Sequence, residues 1–166
     1  MKPLVIVSSE TGNTRIVAHA VRDALPGAEL ASAKCVPEDL SGFDPVIVGF
    51  WCDRGMAPED VKALMPKVSG KRLGFFATIG GNPEAERAKE WFARTVEQLA
   101  GAGGGNTVEA AFMCRGRISR KVYDMMVKMT GGRASPRLEE SFRTSFTHPD
   151  REDLARAADI FARAFG

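Results

Sequence analysis

The chain has only three cysteines, Cys35, Cys52 and Cys114, widely spaced and with no CxxC pair, and only two histidines, His19 and His148. That excludes a disulfide-stapled scaffold and leaves no ligand set for a structural zinc ion. No apolar run approaches the ~18–20 residues that a membrane-spanning helix requires. The opening run Leu4-Val5-Ile6-Val7 is also shorter than the ~7–15-residue core of a secretory signal. These absences predict a cytoplasmic protein with no membrane span. Neither sign of charge dominates: 23 basic and 21 acidic residues leave a net charge of +2, which gives no argument for nucleic-acid binding. Two nucleotide-binding signatures fail. Gly12 is followed by Asn13-Thr14 with no lysine, so there is no Walker A loop, and the glycine run 101–105 follows a helical pattern and meets Asn106 where GxGxxG needs glycine.

What is present is an ordinary globular balance, 44% hydrophobic and 27% charged over 166 residues. It fits one domain spanning 1–166 and excludes wholesale disorder. The charge is unevenly spread. Residues 113–138 hold seven basic side chains (Arg115, Arg117, Arg120, Lys121, Lys128, Arg133, Arg137) and one acid, Asp124, a net +6 against −4 for the remainder. That segment is either a solvated basic face or a docking patch.

The apolar pattern alternates between short continuous runs and helical periodicity. Runs at 4–7, 28–33, 46–50, 72–78 and 107–113 predict strands, most of them buried on both faces. Helices are predicted through Ile16–Leu25, through a short stretch opened by Pro58, Glu59 and Asp60, and through a stretch capped by Asn82 with Pro83 at its first position. The stripe Ile118, Val122, Met125, Met126, Met129 predicts a further helix with the methionines in the core, and Leu154–Phe165 an extra C-terminal one; residues 130–147 read as irregular. Cys35 and Cys114 are expected as small packing residues, His19 at the surface and His148 in a loop. Strands alternating with helices imply an α/β fold with a parallel sheet, each crossover covering one face.

In such a sheet, ligands bind beyond the carboxyl ends of the strands. Three loops leave those ends. Ser8-Ser9-Glu10-Thr11-Gly12-Asn13-Thr14 offers hydroxyls, a side-chain amide and the N–H groups of a helix start, the parts of a phosphate cradle or of a plain helix cap. Phe50-Trp51-Cys52-Asp53 puts an aromatic just past a buried strand, to stack on a flat ring or to pack on a neighbouring loop. Thr78-Ile79-Gly80-Gly81 carries paired glycines that let backbone approach whatever is bound. A phosphate grip and a stacking aromatic on converging loops point to a phosphorylated planar cofactor. Neither a metal site nor a catalytic acid, base or nucleophile is assigned.

The stretch Val5-Ile6-Val7-Ser8-Ser9-Glu10-Thr11-Gly12-Asn13-Thr14 resembles the phosphate-loop signature of the flavodoxins and flavodoxin-like FMN proteins. The resemblance follows the element order from residue 3 to about 115 and is specific in this first loop. It implies a three-layer sandwich around a five-stranded parallel sheet of order 2-1-3-4-5. It also implies an FMN phosphate held by Ser9, the Glu10 amide, Thr11, Gly12, Asn13 and Thr14, and an isoalloxazine ring near Phe50, Trp51, Cys52, Asp53, Thr78, Ile79, Gly80 and Gly81. The sequence departs from the family in two places. The second ring loop carries no tyrosine, Ile79 being its largest side chain, and Cys52 stands where many flavodoxins have glycine. The function implied is an electron carrier passing electrons from a reductase to a redox partner enzyme, met through segment 113–138. The alternative is an FMN-dependent oxidoreductase acting on a quinone, a porphyrinogen-type compound or a nicotinamide. A phosphorelay receiver is set aside, because Ser8-Ser9 stands where its acidic pair belongs.

Overall fold

The computed structural model describes all of residues 1–166. In chain order the elements are β1 (Lys2–Val7), α1 (Asn13–Asp23), β2 (Glu29–Ser32), β3 (Phe43–Trp51), α2 (Glu59–Leu64) running into a 3₁₀ turn (Met65–Lys67), β4 (Arg72–Ile79), α3 (Glu86–Gly103), β5 (Thr107–Arg115), α4 (Arg120–Met129), α5 (Pro136–Ser145) and α6 (Arg151–Phe165). The five strands form one sheet in the order β2-β1-β3-β4-β5, every pair parallel. This is the 2-1-3-4-5 order that the family resemblance implies.

Period-two alternation along each strand sorts the apolar residues onto two faces. Leu4, Ile6, Val46, Val48, Phe50, Leu73, Phe75 and Ala77 pack with Val61 and Leu64 of α2 and Phe92, Val96 and Leu99 of α3. On the opposite face Val5, Val7, Ile47, Phe76, Ala110 and Phe112 pack with Val17, Ala18 and Val21 of α1 and Ala157 and Phe161 of α6. The extra C-terminal helix is thus a full member of the core. Two strand glycines make room for the rings on this face, Phe76 of β4 and Phe161 of α6. A Cβ on Gly49 would stand 2.0 Å from Cζ of Phe76, and one on Gly74 would stand 2.7 Å from Phe161. Phe76 and Phe161 meet edge-on, centroids 5.9 Å apart at 74°.

Four expectations are corrected. Residues 130–147 are not irregular: they contain α5, opened by Ser135, whose hydroxyl accepts from the Leu138 amide at 3.1 Å, with Pro136 in the first turn. Asn82 does not cap α3. Its side chain accepts from the Glu84 amide at 3.0 Å, closing a local Asx turn, and the helix starts at Glu86. Cys35 is exposed, and only Cys114 packs inside. Finally, Met125, Met126 and Met129 are outside both core clusters, because α4 buries no residue at all.

Candidate functional site

β1, β3 and β4 are adjacent, so their loops leave the carboxyl edge of the sheet side by side. In the first loop, the Ser9 hydroxyl accepts from the Gly12 amide at 3.1 Å and the Thr11 hydroxyl accepts from Asn13 Nδ2 at 3.3 Å. Each hydroxyl accepts there, which leaves its own proton free to donate. Gly12 caps α1 at φ +99°, and nothing lies within 4 Å of where its Cβ would stand. Glycine is therefore needed for the backbone angle, and the space above it is open. The first amides of α1 point into that space without intrahelical partners, at the positive end of the helix dipole. Glu10 is exposed, its side chain in solvent.

The loop after β3 folds back on itself. Asp53 and Met56 exchange backbone hydrogen bonds of 2.8 and 2.9 Å around Arg54 (φ +51°) and Gly55 (φ +79°), a tight turn with two positive φ angles. Trp91 of α3 pins it, its indole N–H donating to the Gly55 carbonyl at 2.7 Å. Trp51 is half-buried and lines an open cleft of about 430 Å3 together with Ser8, Ser9, Glu10, Arg15, Lys34, Asp53, Glu59 and Asp60. Four carboxylates face two cations there, so the cleft is acidic. Asp60 is held in place: its carboxylate accepts from the Ser8 hydroxyl at 2.9 Å and from the Val61 amide at 2.9 Å.

Three sequence-predicted residues are placed differently from expectation. The Phe50 ring is wholly in the core, against Trp91 and Phe92, because position 50 points inward in the β3 alternation. The Thr14 and Thr78 hydroxyls are buried and bonded to each other at 2.8 Å. They brace the first loop against β4, and their side chains are not at the cleft. Ile79, Gly80 and Gly81 leave β4 beside Trp51, whose strand partner is Thr78.

Sequence reading missed the fourth segment of the site, residues 115–118. Arg115 donates through Nε to the Gly81 carbonyl at 3.1 Å and through Nη1 to Thr144 Oγ1 at 2.6 Å. Asn13 Nδ2 donates to the Arg117 carbonyl at 2.9 Å. Ile118 fills the place a Gly80 Cβ would take, 2.8 Å away, and Gly116 leaves no space for a Cβ against Asn13. The residues between β5 and α4 thus tie the first loop to the third. The available signal was the Arg115-Gly116-Arg117 triplet, which read only as charge. Ser8 and Asp60 were missed for a similar reason: 52 residues apart in the chain, each reads as an ordinary loop or helix-start residue.

Cys52 is half-buried beside Trp51, and burial pushes its thiol pKa up, reinforced by the Asp53 carboxylate and opposed by the Gly55 amide bonded to its sulfur. Burial likewise pushes Cys114 up to about 12. Both are neutral thiols at pH 7. With iodoacetamide at pH 7.5 the exposed Cys35 reacts first and Cys52 behind it, and raising the pH accelerates Cys52 as its thiolate forms. Mass spectrometry of the alkylated peptides checks this; Cys52 reacting first would show a thiolate at the site.

The chain is 26% identical to the flavodoxin-like domain-containing protein BilS of Clostridioides difficile (strain CD3), over 98% of this chain and 95% of that one. Among solved structures, oxidised flavodoxin 2 from Bacillus cereus superimposes with a TM-score of 0.63 at 18% identity, covering 99% of this chain and 97% of that one. A Lactobacillus acidophilus flavoprotein in complex with FMN superimposes at 0.54 with 14% identity, over 68% of this chain and 92% of its own. These structural likenesses show the fold. Residues 4–162 match the flavodoxin domain family, nearly the whole chain, and the protein belongs to that family.

Proposed function

We propose that this protein binds FMN and works as an electron carrier, taking electrons from a reductase and delivering them to a redox partner enzyme. The observation that carries the reading is the open cradle over Gly12, walled by the α1 amides and the Ser9 and Thr11 hydroxyls, beside a half-buried Trp51 on the neighbouring strand end. A phosphate fits the first part and a planar ring the second. When bound, FMN supplies reversible electron uptake and release. The chain's own residues grip, orient and shield it. The α1 amides, Ser9 and Thr11 donate to the phosphate, and Gly12 lets them converge. Trp51 offers a flat apolar face to the ring. The carboxylates of Glu10, Asp53, Glu59 and Asp60 oppose added negative charge and so favour a low potential. Asp60, bonded to Ser8 and Val61, also holds the cleft's shape.

Titration of the apoprotein with FMN tests this reading. Bound flavin is expected to be quenched by Trp51. Trp51→Ala is expected to weaken binding by about 0.5–1.5 kcal/mol beyond area burial and to restore fluorescence. Unchanged affinity and fluorescence would remove Trp51 from the ring. An FMN-loaded protein that turns over NAD(P)H with a quinone unaided would replace the carrier by the oxidoreductase.

A further inference from the structure

Helix α4 carries an apolar stripe, Val122, Met125, Met126 and Met129, at the spacing of one helical face. In α1, α3 and α6 the apolar stripe contains buried residues. Here α4 buries no residue, and these four side chains are 37%, 41%, 39% and 79% exposed; Phe146, the residue that closes α5, is 45% exposed. Five of the nine exposed large hydrophobics of the molecule fall in this one hairpin. An aromatic stack, Tyr123 on Phe142 at 4.2 Å, joins α4 to α5. The hairpin is also basic: residues 120–145 hold six basic and three acidic side chains, a net +3, and Arg115 and Arg117 add two more positive charges at its root. Arg120 is paired with Asp124, whereas Lys121, Lys128, Arg133 and Arg137 are exposed and make no ion pair. Its root is fixed to the flavin loops through Arg117 to Asn13, Ile118 to Gly80 and Arg115 to Gly81.

We propose that the α4–α5 hairpin is the docking surface for the electron-transfer partner, and that this partner is an acidic protein presenting an apolar patch ringed by carboxylates. The methionine face supplies the adaptable apolar centre and the unpaired lysines and arginines the charged rim. Three features select this occupant. A second copy of the chain would bring the same positive rim against itself. A membrane-surface helix draws on bulky Trp, Phe and Leu, and α4 has ten residues and a methionine face. The hairpin's root lies on the loops that frame the cofactor, so a protein seated there stands close to it. The proposal rests on the electron-carrier reading for the partner's nature, but docking can be observed without flavin.

The test uses the full chain labelled with [methyl-13C]methionine, with and without FMN, titrated with zinc-substituted rubredoxin as a small, acidic, diamagnetic probe. The methyl signals of Met125, Met126 and Met129 are expected to shift while that of the buried Met65 stays put; ferrocytochrome c, which is basic, is expected to shift none of them. Lys121→Glu combined with Lys128→Glu is expected to weaken the interaction about fivefold or more, and added salt to weaken it further. Both positions are solvent-exposed, and an unchanged melting temperature confirms that the variant folds. Three results would overturn the proposal: no shift at these methyls, shifts that appear on raising the concentration of the protein alone, or shifts with phosphatidylglycerol vesicles but not with the acidic protein. Docking seen in a chain that fails to take up FMN would sink the carrier reading and leave the surface standing. FMN uptake without docking would do the reverse.

Discussion

Thr11→Ala is expected to lower FMN affinity by about 1.5–3 kcal/mol, roughly 10- to 100-fold, while barely changing the affinity for riboflavin. The Thr11 hydroxyl accepts from Asn13 Nδ2, so its proton is directed elsewhere, and the open space over Gly12 is the place for a phosphate dianion to receive it. A charge-assisted bond lost inside a ring of donors costs more than a neutral one, and riboflavin, lacking the phosphate, never makes it. Asn13→Ala is expected to act through position: it releases both Thr11 and the Arg117 carbonyl, loosening the loop and the root of α4 together. Calorimetric titration of each variant with both ligands separates the cases. Equal loss for FMN and riboflavin would show that the loop does not hold the phosphate.

The sheet was legible because its central strands β1, β3 and β4 are buried on both faces. Runs such as Val46–Phe50 and Arg72–Thr78 leave no other way to hide their side chains, and they fix the element order directly. The loop proposed to grip phosphate was legible because it is local: strand end, turn glycine and helix start lie within seven residues. What stayed hidden depends on contacts across the chain. Ser8 meets Asp60, Thr14 meets Thr78, and Asn13 meets Arg117 across 104 residues, and no periodicity marks such pairs. The amphipathic stripe of α4 was read correctly as a helix and wrongly as core. Periodicity reports that one face is apolar; it is silent on whether the same chain supplies the cover. Helix α5 went unread because its apolar residues are few and its start is carried by Ser135 and Pro136 alone.

Phe161→Ala is expected to destabilise the apoprotein by about 3–5 kcal/mol, lowering Tm by roughly 2–4 °C for each kcal/mol in a chain of this size, without changing the FMN affinity of the molecules that remain folded. The Phe161 ring is fully buried, edge-on to Phe76 and stacked on Phe165 at 6.3 Å, and it occupies the space that Gly74 keeps clear. Removing it leaves a cavity that the rigid strands β4 and β5 cannot close, and frees α6 from the face it shares with α1. The three candidate loops lie at the carboxyl edge of the sheet, and the first is braced by the Thr14–Thr78 and Asn13–Arg117 hydrogen bonds, to which Phe161 contributes nothing. Saturating FMN is therefore expected to recover about 2.7 kcal/mol when its concentration is 100 times the dissociation constant, in the variant as in the parent. Chemical denaturation with and without FMN reads both quantities. A loss below about 1 kcal/mol would mean that α6 is an appendage and not part of the core. A large change in FMN affinity would mean that the core on the α6 face controls the geometry of the phosphate loop.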